Sequence, residues 1–444
     1  MFLLISQFVR EFAHLVSLPA AIPLEYGRGK EKMNEFEQAK KAYEAYGADV
    51  EAALKKAAEV AISLQCWQLD DVRGFEGDTA LSGGIAATGD YPGRARNFQE
   101  MTSDLALALK LIPGAKKVNL HAIYPSDGKA ERKEIKPENF RGWVSFAKEQ
   151  GIGLDFNPTI FSSMKMNDGC SLSSVDEATR DYWIEHCVSC LKVSEYFARE
   201  LGQTCMMNIW IPDGMKETPT DRLGPRKRLI ASLDKILATP YDKKLVDVAV
   251  ESKLFGIGVE SYTVGSNEFY VGYAISRQIL CLLDMGHYHL TENVADKISS
   301  LLCYVPKIGF HLSRPVRWDS DHVIRWNEDL QEVFNELVRC QALDRADLGL
   351  DFFDASINRI AALCIGARNA QKALLNALLQ PWDKLQAAQN EHDHTLNLEL
   401  SEELKTLPFG AIFEEYCRRQ GVPGEKDWYP IVKDYESKVL SKRK

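Results

Sequence analysis

Seven residues in the second half of the chain have the types and the order of a divalent-metal site: Glu251, Asp284, His287, His311, Asp319, Asp321 and Asp351. They close or follow short apolar runs, in the segments Glu251-Ser-Lys253, Asp284-Met-Gly-His287, Phe310-His311-Leu312 and Asp319-Ser-Asp321. Carboxylates gathered at a buried rim are costly unless a cation or hydrogen bonds compensate them. None of the candidate ligands is a cysteine. An oxygen-rich set with imidazole suits a hard or borderline cation such as magnesium, manganese or cobalt, whereas structural zinc usually recruits thiolates. Two sites can be assembled from adjacent strand ends. One takes Glu251, Asp284, His311 and Asp351; the other, open to substrate, takes His287, Asp319 and Asp321. Two such ions side by side hold adjacent oxygens of a polyol and stabilise charge developing on them, which suits sugar isomerisation.

Other residues gather round this set. Asp319 and Asp321, at spacing two, face one side if the loop is extended there. Lys253, two residues beyond Glu251, faces the same side on the same condition, to donate to a substrate oxygen or to pair with Glu251. Trp67 and Trp210 stand near the ends of their runs as apolar walls, and a dry wall favours a direct hydrogen shift over exchange with water. His289 and His322 are candidates only for orienting a ligand through a ring hydrogen. His392-Asp-His394 sits in a polar segment and reads as a solvated loop.

The elements that must position these groups are legible as a rhythm. Two amphipathic helical patterns begin at Met33 and Val50. Eight short apolar runs then follow: 62–67, 118–124, 153–157, 205–211, 245–250, 279–283, 308–312 and 347–350. Helical patterns lie between them, among them 98–111, 181–201, 225–237, 267–279, 294–302 and 330–340. This alternation predicts parallel strands with crossover helices. Eight runs close a (β/α)8 TIM barrel, although a doubly wound open sheet uses the same alternation. In a barrel the chemistry gathers at the carboxyl ends of the strands. Those ends are polar here: Asp70 and Asp71 follow the first run, His121 lies in the second, Asp213 follows the fourth, and the metal set occupies the last four. The expected division is an extension over 1–32, helices over 33–61, the barrel over 62–379 and a helical tail over 380–444 that packs between subunits.

Composition narrows the function. A net charge of −9 argues against a broad phosphate-binding surface, so nucleic acid is not an expected partner. The ten cysteines are scattered, many within apolar runs, as befits reduced core residues of a cytoplasmic protein. Cys187 and Cys190, with His186, fall on one helical pattern and read as packing. Apolar stretches near Phe2 and Leu15 are interrupted by Arg10 and Glu11 and fall short of the roughly 18 residues that span a bilayer, so no membrane role is expected.

Several segments, in order, resemble L-rhamnose isomerases: Gly83-Gly-Ile-Ala-Ala-Thr-Gly89 with Tyr91-Pro-Gly93, Asn119-Leu-His-Ala-Ile-Tyr124, Asn208-Ile-Trp-Ile-Pro-Asp-Gly-Met-Lys216, Glu251-Ser-Lys-Leu-Phe-Gly-Ile-Gly258 and Ser313-Arg-Pro-Val-Arg-Trp-Asp-Ser-Asp-His322. The likeness runs from about Met33 to the C-terminus. It implies a manganese-dependent aldose–ketose isomerase on a (β/α)8 barrel, converting L-rhamnose to L-rhamnulose in the cytoplasm as a homotetramer. It also implies manganese on His287, Asp319 and Asp321. The companion ion, zinc or manganese, falls to Glu251, Asp284, His311 and an Asp after the last strand. Asp351 is favoured for that place over Asp354. His121 and Lys253 are implied to contact the sugar's oxygens, with Trp67 and Trp210 flanking it. Lys253, Asp319, His121 and Asp351 form the implied catalytic group, and hydrogen moves from C2 to C1. The alternative on the same barrel is a metal-dependent hydrolase or aldolase, since fold alone does not fix chemistry. A non-catalytic sugar or metal binder would bind without turnover.

Overall fold

Eight parallel strands carry the molecule: β1 Ile62–Gln65, β2 Lys116–His121, β3 Gly153–Asn157, β4 Cys205–Ile209, β5 Val246–Glu251, β6 Leu280–Asp284, β7 Ile308–Leu312 and β8 Ala346–Leu350. The computed structural model describes residues 34–77, 81–166 and 169–443, so the expectation for residues 1–32 lies outside the described residues. The strands pair in the order β3-β2-β1-β8-β7-β6-β5-β4, which brings the first strand beside the last (Ile62 with Leu348, Ser63 with Gly349). An open doubly wound sheet would not make that pairing. Between β3 and β4 the closure uses side chains. Asp155 Oδ1 accepts from the Met206 backbone N–H at 2.8 Å, and Asn157 Oδ1 from that of Asn208 at 3.3 Å. The result is a nearly closed (β/α)8 barrel with helices at both chain ends.

Two helices precede the barrel, α1 Glu35–Tyr46 and α2 Val50–Glu59. The crossovers are α3 Phe98–Leu111, α4 Arg141–Gln150, α5 Glu177–Leu201, α6 Leu223–Leu237, α7 Asn267–Arg277, α8 Ala295–Leu302 and α9 Glu328–Arg339, and α10 Arg359–Leu378 follows β8. Side-chain caps set several starts. Asp176 accepts from Thr179 N at 2.9 Å and begins α5 four residues before the apolar spacing does. Asn358 does the same for α10 through Ala361 N. Helix α10 is buried on almost every face, which explains its run of Ala and Leu: small side chains let α2, α3 and α9 approach it closely.

Four further helices follow: α11 Trp382–Asn390, α12 His394–Leu404, α13 Phe409–Arg419 and α14 Trp428–Lys438. Within the chain, α13 packs on α1 and on α10, and α14 on α10. His392 and His394 are exposed, and Asp393 between them caps α12. Cys187 and Cys190 are buried thiols of α5. No helix among the described residues is long and apolar enough to cross a membrane.

Three strands stop short of the apolar runs that predicted them. The first run ceases to be strand at Gln65, and a 3-10 turn, Cys66–Gln68, carries Trp67 inward. The second ends at His121, where the Tyr124 N–H folds back onto the His121 carbonyl at 3.1 Å. The fourth ends at Ile209, and beyond it Gly214–Met215 pairs antiparallel with Tyr262–Thr263, tying the loops after β4 and β5 together. Each departure turns a side chain at the strand's carboxyl end toward the mouth.

Candidate metal centre and sugar site

The barrel interior is polar at the carboxyl ends because inward positions follow the period of the strands. Glu251, Asp284 and His311 end or nearly end β5, β6 and β7, and Asp351 follows β8 directly. One ligand atom from each of these four lies within 4.8 Å of the other three. His311 Nδ1 is 3.1 Å from Glu251 Oε1, 3.2 Å from Asp351 Oδ2 and 3.7 Å from Asp284 Oδ2. A single ring N–H cannot serve three carboxylates, whereas one cation can. The second set adjoins the first. His287 Nε2 is 3.2 Å from Asp319 Oδ2, and its Nδ1 is 3.2 Å from Glu251 Oε1 but outside hydrogen-bonding alignment. Glu251 therefore borders both sets.

The electrostatics give the same account. Burial pushes the Asp284 carboxyl up to about 7, with Glu251 and Asp351 adding to the rise against the pull of His287. Burial and then Asp319, Asp351 and Asp284 drive Asp321 well above the carboxylate range. Burial opposes charge on His311 and His287 as well, yet the surrounding carboxylates hold both far above an ordinary imidazole. Without an ion, the cluster balances itself by binding protons. A divalent cation performs the same neutralisation and competes with those protons, so the donor set fits a metal.

Neighbours hold the ligands in place. Asp284 Oδ1 accepts from the Gly286 backbone N–H at 2.6 Å and from Ser313 Oγ at 2.9 Å. Gly286 cannot carry a side chain, because a Cβ there would stand 2.7 Å from Asp319 Oδ1 and 3.1 Å from Asp284 Oδ1. Asn208 donates to Glu251. Sequence reasoning missed Ser313 and Asn208. The signal for Asn208 was its parity: it shares the inward face of β4 with Met206, two residues earlier. Asp354, the alternative on the last strand, instead accepts from the Ser356 backbone N–H at 2.8 Å and makes a local turn.

One orientation argument from the sequence fails. Asp319 and Asp321 do not share a face by being extended: Asp321 has φ +48°, a left-handed conformation. Lys253 follows the end of β5, and its ammonium lies 3.6 Å from Asp319 Oδ2. Burial works against charge on Asp319, but His287 and Lys253 hold its carboxyl below the usual range. Asp319 is thus the carboxylate of the second set that stays ionised.

Aromatic rings line the remaining side. Trp67 donates its indole N–H to Asp351 Oδ1 at 2.9 Å and meets the His121 ring edge-on at 4.7 Å. Phe161, absent from the sequence reading, packs between His121 (5.3 Å) and Trp210 (5.9 Å). Lys253 Nζ lies over the Trp210 ring at 5.1 Å. Burial, and then the charge of His311, lowers His121 to about 3, so its imidazole is neutral. The glycine-rich segment that follows β1 lies across this region. Gly89 has φ +118°, and a Cβ there would be 2.4 Å from the Ala355 backbone, so this close approach needs glycine. Other early candidates are structural. Asp70 accepts from Tyr124 OH at 2.8 Å, Asp71 pairs with Arg359 at 2.7 Å, and Asp213 binds Ser171 and Ser173. His289 is exposed on Thr291, and His322 bonds to Ser320.

With this geometry in place, comparison with known proteins decides the family. The profile of the family L-rhamnose isomerase (RhaA) matches residues 31–443. The chain belongs to the L-rhamnose isomerase family. It is 53% identical over 410 residues to the L-rhamnose isomerase of Yersinia pestis (strain Pestoides F), covering 92% of this chain and 98% of that protein. The same figures hold for that of Yersinia pseudotuberculosis serotype O:3 (strain YPIII). Among solved structures, a D-psicose 3-epimerase from Clostridium cellulolyticum H10 is 14% identical with a TM-score of 0.43, covering 70% of this chain and 96% of that one. A putative sugar phosphate isomerase/epimerase from Anabaena variabilis ATCC 29413 is 13% identical with a TM-score of 0.47, covering 72% of this chain and 99% of that one. These two likenesses are too distant to add to what the strand order shows.

Proposed function

We propose that the protein is a metal-dependent isomerase that converts L-rhamnose to L-rhamnulose by a 1,2-hydride shift. The observation that carries this reading is the convergence of Glu251, Asp284, His311 and Asp351 at the mouth of a barrel belonging to this family. These four would hold one divalent ion, zinc or manganese, and His287, Asp319 and Asp321 would hold the catalytic manganese. Bound there, the ions supply positive charge beside the sugar's O1 and O2.

The chain's own residues do the rest. Asp319, ionised between His287 and Lys253, takes the proton from the sugar hydroxyl at C2 as that carbon becomes a carbonyl, the hydrogen on C2 moves to C1 as hydride, and the proton is returned to O1, which becomes the hydroxyl of the ketose. Lys253, close to Asp319 and Trp210, donates to a sugar oxygen. His121, neutral, accepts or donates a hydrogen bond to another hydroxyl. Asp351, fixed by Trp67, keeps its carboxylate aimed at the centre. Trp67, Phe161 and Trp210 exclude water from C1 and C2, which favours direct transfer over exchange. We further propose that residues 62–379 are the catalytic unit, that 380–444 contribute to contacts between subunits of a homotetramer, and that the enzyme works in the cytoplasm.

The test is incubation of the purified chain with L-rhamnose and a manganese salt, followed by ketose assay. Ketose should accumulate, should disappear after chelation and should return on metal loading. A metal-loaded protein that forms no ketose overturns the isomerase; cleavage of the sugar or water consumed into the product would then favour an aldolase or hydrolase, and binding without turnover a sugar or metal binder.

A further inference from the structure

His186, on α5, takes no part in the reaction described above, and its ring is fully buried. Both of its nitrogens meet groups with only one possible role. The Arg132 carbonyl, which can only accept, is 2.7 Å from Nδ1; the Thr159 backbone N–H, which can only donate, is 2.9 Å from Nε2. The imidazole is therefore neutral, with its hydrogen on Nδ1. Burial lowers its basicity to about 3, in keeping with that form. Trp183 packs edge-on against the ring at 5.6 Å and Cys190 Sγ approaches to 3.8 Å, so the ring has no room to turn.

The residue that His186 holds by its backbone also reaches His121: Thr159 Oγ1 lies 3.3 Å from His121 Nδ1. The Thr159 carbonyl is held at 2.9 Å by Arg132 Nη1, whose guanidinium also binds Phe161 O at 2.6 Å and pairs with Glu76 at 2.9 Å. The backbone behind His121 is thus gripped from outside the barrel by His186 and Arg132.

We infer that His186 is a positioning residue for His121: by holding the Thr159 backbone N–H it fixes Thr159, whose hydroxyl meets His121 Nδ1, and so fixes the ring orientation and tautomer that His121 presents to the sugar. With Nδ1 engaged by Thr159 Oγ1, the other ring nitrogen is left to meet a sugar hydroxyl. The inference rests on the reading of His121 as a sugar contact, and its test separates the two.

The experiment is 15N NMR of histidine-labelled, manganese-free protein, with the His121 signals assigned by their loss in His121→Phe, together with steady-state kinetics of the manganese-loaded enzyme. The wild type should show one neutral tautomer at His121. In His186→Leu that pattern should shift toward mixed tautomers, and KM for L-rhamnose should rise about tenfold, the worth of one hydrogen bond, with kcat changed less. His186→Gln, whose amide can donate to Arg132 O and accept from Thr159 N, should restore both. If His186→Leu does not fold, His186→Asn, too short to reach both partners, should show the Leu behaviour. An unchanged His121 pattern in a folded His186→Leu or His186→Asn, or a Gln variant no better than these, overturns the inference. If His121→Phe leaves KM unaltered, the sugar contact itself is wrong, whereas the link from His186 to His121 is judged by the 15N pattern alone.

Discussion

The two ends of the barrel treat buried carboxylates in opposite ways. At the amino end Asp155, Asp247 and Asp347 share two lysines: Lys117 Nζ is 3.0 Å from Asp155, and Lys307 Nζ is 2.7 Å from both Asp247 and Asp347. Burial pulls Lys307 down, but Asp347 and Asp247 outweigh it and hold the ammonium charged. At the carboxyl end Glu251, Asp284, Asp319, Asp321 and Asp351 meet, among the described residues, one ammonium, Lys253, and two imidazoles that can offset them only by taking up protons. One end carries its own cations and is scaffold. The other is short of positive charge and is built to receive it from solution.

That contrast can be broken first at Asp319. Asp319→Ala should abolish turnover, a fall in kcat/KM of at least about 10²–10⁴-fold, with the circular dichroism spectrum retained. Near-normal turnover in the metal-loaded variant would remove Asp319 from the site. Acidity is the next lever. Asp284 must lose its proton to ligate, and its carboxyl is raised to about 7, so manganese affinity should fall as pH drops through 7 and go on rising above it, where His287, His311 and Asp321 shed their protons in turn. A calorimetric titration with a flat profile from pH 6 to 8, values chosen about 1 unit either side of the shifted carboxyl, would contradict this.

Ser313→Ala sharpens the picture, since Ser313 touches the metal set only through Asp284. Metal affinity should weaken about 10–100-fold, with kcat at saturating metal nearly intact. The smallest effect on chemistry belongs to the amino end. Lys307→Met leaves Asp247 and Asp347 uncompensated and should cost about 3 kcal/mol of stability, read by urea unfolding, while metal content and kcat of the folded enzyme stay unchanged. A loss of metal there would mean that the two ends are not independent.

Much of this was legible in the sequence because strand period and strand count are local properties. The inward positions Glu251, Asp284 and His311 follow from alternation within β5, β6 and β7, and the eight runs foretold the closure. What sequence could not reach depends on backbone turns. Asp321 arrives at the site through its own left-handed backbone, which no spacing rule anticipates, and Lys253 meets Asp319, a partner 66 residues away that only the fold brings to it. His186 read as a packing residue on a helix pattern. It does pack, but its two ring nitrogens bind groups 54 and 27 residues away, Arg132 and Thr159, which only the fold brings together.

The most direct test of the central claim is anomalous diffraction at the manganese edge from crystals grown with a manganese salt. The account predicts a manganese peak among His287, Asp319 and Asp321 and a second peak, at the manganese or the zinc edge, among Glu251, Asp284, His311 and Asp351, with none among Lys117, Lys307 and their acids. A mouth without anomalous signal in crystals of the active, manganese-loaded enzyme would contradict it.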